Sequence, residues 1–268
     1  MTVEAPQMKE INPDRPLTEA GAAAVAALAQ RQRRANGVLM SAVNYVGGQV
    51  EDGLRRLPAP VRGQIDNAAR RALEASYQAA AKSRDGAWAQ VASGDRAHRV
   101  LATISGALGG LGGLPTALAE LPVATTMIFR AVQGVAAEHG EDPTTEATRI
   151  ECLRVFGAGG PGTQDDGVDT TFIGARLSLT GPALHGLLGK VAPRFAAVLS
   201  QKLATQAVPV LGAAAGAGTN FAFIRFYTEM AHVHFGLRKL SREFNEAQVL
   251  DAFHAALAAG RLTSGGST

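Results

Sequence analysis

Between Lys202 and Arg225 the chain carries no Asp, Glu, Lys or Arg; it is rich in Gly and Ala, turns aromatic, and becomes basic at Arg238, Lys239 and Arg242. Twenty-two successive residues without a charge read as a buried or membrane-contacting helix. A second block, Val100 to Phe129, holds Glu120 as its one charged residue and crowds Gly106, Gly109, Gly110, Gly112 and Gly113 together. Both blocks are about as long as a bilayer-spanning helix. Their apolar content is mostly Ala, Gly and Val, however, and Pro115, Pro209, Thr205, Gln206, Thr219 and Asn220 interrupt them. Insertion into lipid rewards Leu, Ile and Phe instead, so close packing in a soluble core is the leading reading, with membrane insertion or a monotopic hairpin as the alternative. Gly212 and Gly216 have the spacing that lets helices approach closely in either medium.

Hydrophobic residues make up 46% of the 268 residues and aromatics only 5%, a balance that favours tightly packed helices over sheets. No alternating pattern of useful length and no fixed-period repeat occurs. The expected fold is therefore all-α, a single multi-helix domain with central Gly/Ala-rich helices. Residues 1–15 read as a disordered leader without signal-peptide character, 16–260 as the domain, and 261–268 as a disordered tail. Within the domain, 16–98 is a basic helical module, 99–244 the apolar region, and 245–260 a last helix.

Helices are expected from Pro16 to Arg34, Val38 to Leu57 and Val61 to Lys82. The apolar block should bend at Pro115 and Pro122, resume as a helix from Val123 to His139, and stop at Gly140. Asp142 and Pro143 have cap and first-turn character for a helix ending at Gly157. GAGGPGTQDDG, residues 157–167, reads as a loop. Helical stretches follow at about Thr170 to Leu179, Pro182 to Lys190 and Pro193 to Ala207. In the central stretch, Leu203 to Ala217 is expected to pack closely and Asn220 to Leu237 to be amphipathic. Asn245 caps the last helix, about Glu246 to Ala259, and Gly260 ends it.

The stretches LPVATTMIFRAVQGVAAEHGED (Leu121 to Asp142), IECLRVFGAGG (Ile150 to Gly160) and QAVPVLGAAAGAGTNFAFIRFYTEMAHVHFGLRKLSREF (Gln206 to Phe244) resemble the EcsC family of bacterial proteins. With the intervening helices the resemblance covers about Arg99 to Phe244. The family takes its name from a component encoded beside an ABC transporter, and its members are mostly of undefined biochemical activity. The resemblance implies an α-helical architecture and supplies no catalytic residues.

Chemistry has few footholds. Asp95/His98, Glu229/His232 and Asp251/His254 have the three-residue spacing of helical metal ligands. But Arg225, Glu229, His232, Lys239 and Glu243 fall on one polar stripe, expected to face solvent, and no bridging carboxylates accompany them. No metal and no cofactor is expected. The GAGGPG loop lacks a preceding strand and a Gly-Lys-Ser/Thr ending, so it is no phosphate cradle, and Ser105, Ser178 and Ser200 lack a nucleophile elbow. His234 falls on an apolar side, where a hydrogen-bonded core histidine is commoner than a ligand or base. Glu120 among apolar neighbours needs a partner such as Arg130, or else exposure at the Pro122 bend.

Net charge is +3 but segmented: residues 31–100 hold twelve Lys or Arg against six acids, and 101–180 hold four against nine. The basic positions do not interleave with aromatics, so no specific nucleic acid is expected. Arg55, Arg56, Arg62, Arg70 and Arg71, with Arg238, Lys239 and Arg242, can instead face an anionic membrane. A lone Cys152 points to a reducing cytoplasm. The expected function is non-catalytic: a protein peripheral at the cytoplasmic face of the inner membrane, binding lipid or a membrane protein. Two alternatives stand beside it. One is a helical-bundle enzyme or small-ligand protein with a site near Glu120, Arg130, Asn220 and His234; the other is a protein-interaction scaffold.

Overall fold

The structure, a computed structural model, describes residues 14–35, 59–82, 113–157, 186–196 and 212–264. Side chains are described throughout these ranges except at 59–62, 64–66, 80–82, 113–121, 212–220 and 260–264. Every regular element among the described residues is α-helical: α1 Glu19–Ala35, α2 Ala59–Lys82, α3 Gly113–Glu138, α4 Glu146–Val155, α5 at 186–196, α6 Gly212–Glu243 and α7 Glu246–Ser264. The all-α expectation holds. No helix among the described residues is long and apolar enough to cross a membrane.

The long helix α6 organises the rest because it is apolar on two faces. On one, Phe223, Phe226, Tyr227 and Met230 join a large core with residues of α2, α3, α4 and α5, including Leu73, Phe129, Phe156 and Phe195. On the other, Val233 and Leu237 meet Val25 and Ala29 of α1 and Val249 and Phe253 of α7. The stripe that α1 contributes, Gly21, Val25, Ala29 and Gln32, recurs at three- and four-residue steps, and all four are buried. Approach between α1 and α6 is close: a Cβ on Gly236 would lie 2.7 Å from Leu28 Cδ2. Only glycine permits that distance without displacing Leu28.

Helices α2 and α3 run in the same direction. Ser76 Oγ lies 3.2 Å from Thr126 Oγ1, and Arg130 Nη2 donates to the Ala79 carbonyl at 3.4 Å, so both positions advance together.

Several element boundaries differ from the sequence expectation. The helix expected to resume at Val123 already starts at Gly113, so α3 includes Pro115 in its first turn and continues through Pro122. Pro122 has no N–H to donate one turn back, yet its own carbonyl accepts Thr126 Oγ1 at 2.7 Å while Phe129 and Val132 beyond it are fully buried. Likewise α5 passes through Pro193 and α7 through Gly260. The cap of α4 is Thr145, whose Oγ1 accepts from Thr148 N at 3.2 Å; Asp142 instead folds the preceding turn, its Oδ1 accepting from Thr144 N at 2.9 Å. Gly140 does end α3, with φ at +81° and Glu141 N bonded to Ala136 O at 3.0 Å. Gln248 N donates to Asn245 Oδ1 at 3.1 Å, the cap expected for α7. The expectations for Val38 to Leu57, for 100–112, for the loop after Gly157 and for Thr170 to Leu179 lie outside the described residues.

Candidate functional site

The densest cluster of ionisable side chains among the described residues is built by α4, α6 and the turn between α3 and α4. Helix α4 is short and almost wholly buried, so its Glu151 and Arg154, three residues apart, share an inward face. On α6, His234, Arg238 and Arg242 succeed one another at four-residue steps and therefore line one ridge. The Gly140 turn delivers Glu141 beside that ridge.

Glu151 is the hub. Its Oε1 accepts Arg154 Nη1 at 2.7 Å and lies 3.1 Å from Arg238 Nη1, and its Oε2 pairs with His234 Nε2 at 2.9 Å. Glu141 Oε1 accepts Arg238 Nε at 2.9 Å and also Arg242 Nη2, and Arg242 Nε reaches the Arg238 carbonyl at 3.4 Å. The ladder runs from dry to wet: the side chains of Arg154 and His234 are each 2% exposed, that of Arg242 38%.

Burial alone would raise the Glu151 carboxyl, but the His234 hydrogen bond and the charges of His234, Arg238 and Arg154 outweigh it and hold it below the ordinary carboxylate value. Next to it, burial first and the Glu151 and Glu141 charges second push the Cys152 thiol well up. Burial of this kind makes a thiol inert towards solvent. The ladder's chemistry is thus that of an internal ion network joining three elements.

The four residues of the expected ligand site lie on two helices, Glu120 and Arg130 on α3, Asn220 and His234 on α6. Glu120 and Arg130 sit ten residues apart on the continuous α3, about 15 Å of helical rise. Arg130 donates to the Ala79 carbonyl of α2, and burial lowers its pKa. Asn220 and His234 are separated by about 21 Å along α6. The side chains of Glu120 and Asn220 lie outside the described residues.

The expected solvent-facing stripe of α6 is also partly covered. Arg225 and Lys239 are exposed, but Glu229 pairs with Arg31 of α1 at 2.5 Å, and His232 meets His139 at the end of α3 at 3.2 Å. Two neighbouring helices pack over what the periodicity of α6 alone marks as outside. Of the expected membrane-facing cations, Arg70, Arg71 and Lys239 are exposed, whereas Arg238 and Arg242 are drawn to the two glutamates. Arg55, Arg56 and the Arg62 side chain lie outside the described residues. Among the described residues no group of three or more His, Cys, Asp or Glu side chains is arranged to hold a metal. Asp251 and His254 are exposed, and Asp95/His98 falls outside.

Glu141, Glu151 and Arg154 escaped the sequence reading. Their signal is an i,i+3 acid–base pair set within the otherwise apolar IECLRV, matched by the four-residue run of basic residues on α6.

A comparison with protein families finds the EcsC protein family over residues 23–167. No curated protein and no solved structure matches the chain. The matched region starts far upstream of the expected Arg99 and stops before Gln206. It takes in most of α1 and all of α2, which the structure packs into the same two cores as the later helices.

Proposed function

The chain belongs to the EcsC protein family, and from that membership and its surface we propose a non-catalytic protein that works at an anionic membrane face, binding lipid or a membrane-protein partner. One observation carries the reading. Arg70 and Arg71 are both exposed on α2, whose opposite side, with Ala69, Ala72 and Leu73, is fully buried. The Ser76–Thr126 and Ala79–Arg130 contacts fix an offset of 50 to 51 residues between α2 and α3, so Val123 lies level with residues 72 and 73. Val123 is the one large exposed hydrophobic side chain among the described residues, at 53%. A basic pair and an apolar residue at one level are what interfacial binding uses. The ionisable groups of the core, by contrast, are engaged with one another in the Glu151 ladder.

Co-sedimentation with phosphatidylcholine vesicles, with and without phosphatidylserine, tests this. Binding is expected only with the anionic lipid, weakening as salt rises. Replacing Arg70 and Arg71 by Gln should weaken it roughly thirtyfold, at about 1 kcal/mol for each basic residue near the surface. Absence of binding at every salt concentration, or binding indifferent to both salt and the arginines, refutes the lipid reading.

A further inference from the structure

His139, in the turn that ends α3, and His232, on α6, meet ring nitrogen to ring nitrogen: Nε2 of the first lies 3.2 Å from Nδ1 of the second. Their ring centroids are 5.5 Å apart with the planes at 69°. The centroid separation exceeds the nitrogen separation by 2.3 Å, about two imidazole radii, so both nitrogens lie on the line joining the rings. They point at each other rather than converging on a third point. That is the geometry of an N–H···N hydrogen bond and not of two ligands sharing a metal ion.

Such a bond counts protons. With both rings neutral, one nitrogen donates and the other accepts. With one added proton, the imidazolium still donates to the lone pair of its neighbour. A second added proton leaves two donors, no acceptor and two positive charges in contact. We propose that the His139–His232 contact is an acid-released latch between the C-terminal end of α3 and the middle of α6.

The surroundings reinforce the release. Arg31 of α1 and Lys239 of α6 add positive charge near His139. The acids on the same side are mostly engaged: Glu229 pairs with Arg31, and Glu141 takes Arg238 and Arg242. The Glu138 carboxylate lies 4.0 Å from His232 Nε2 and is itself 66% exposed. Burial first, then Lys239 and Arg31, hold the His139 pKa below the ordinary histidine value, against the opposing charge of Glu141. A histidine with a depressed folded-state pKa contributes stability above its unfolded value of 6.5, and that contribution is lost as pH falls through the folded value. Release also disturbs the ladder, because Glu141 stands two residues beyond His139 in the same turn.

Hydrogen exchange of the full chain, corrected for intrinsic rates and followed by mass spectrometry at about pH 7.5 and about pH 5, reads the latch directly. Protection at 135–141 should fall by at least about tenfold on acidification, while residues 249–257 of α7 keep theirs. His139→Gln and, separately, His232→Gln retain a donor and an acceptor without titrating, so each should abolish the acid response. The proposal is overturned if the wild-type segment keeps its protection in acid, or if either folded variant responds as the wild type does.

Discussion

Tyr227 shows what a single atom can cost in this core. Its ring stacks on Phe156 with centroids 5.0 Å apart and meets Phe195 and Phe226 edge-on, so the apolar part is well used. Its hydroxyl is buried with no hydrogen-bond partner among the described residues, and burial lifts its pKa far above the ordinary phenol value. An unsatisfied buried hydroxyl costs about 1–3 kcal/mol, so Tyr227→Phe should stabilise the protein by roughly that amount, raising the thermal midpoint by several degrees. Thermal unfolding followed by circular dichroism measures it, and a lower midpoint would mean that the hydroxyl contributes a bond. At this scale the sequence marks His234 as apolar-sided, since Phe223, Tyr227, Met230 and Leu237 share its side of the helix. It does not reveal Glu151 as the partner, because that contact bridges 83 residues and no local period encodes it.

Among the elements, α4 depends most on charge. Glu151→Gln leaves Arg154, Arg238 and His234 without their shared carboxylate, and breaking one partner of a buried ion network costs about 3–5 kcal/mol. Because the folded-state pKa of Glu151 is depressed, its contribution is present above the unfolded carboxyl value of 4.5 and is lost as pH falls through the folded value. Urea unfolding at neutral pH should therefore show the full penalty in the variant, and the difference from wild type should shrink in acid. An equal difference at both pH values would assign the loss to something other than the ion network. Amphipathic helices were the most legible elements: the third expected helix, Val61 to Lys82, lies within α2, and Gly140 and Asn245 punctuate the chain as their residue types dictate. Pro122 lies just before the deeply buried Phe129 and Val132, and the stabilisation from packing that segment exceeds the local cost of a missing donor. Propensity acts within a turn, whereas the core acts across the molecule.

For the whole molecule, the decisive feature is that α6 belongs to both cores. Phe253 of α7 is fully buried in the core that α1 shares, and Phe253→Ala should cost about 3–5 kcal/mol. Because that core is fastened to the other through α6, with Ala35 at the end of α1 also reaching the larger one, hydrogen exchange should accelerate in α4 as well as in α1. Protection retained in α4 would show that the two halves open independently. The position of α1 has a consequence in time. Its segment is tied to far later parts of the chain: Arg31 to Glu229, 198 positions on, Arg33 to Ala256, 223 on, and Leu17 to Gln248, 231 on. At a synthesis rate of about 5–20 residues per second, α1 leaves the ribosome on the order of ten to forty seconds before its partners exist. Through that interval Val25 and Ala29 lack the α6 and α7 side chains they pack against in the fold. An early helix that docks late presents its apolar stripe to whatever is nearby, and it sets when, during translation, the fold can close.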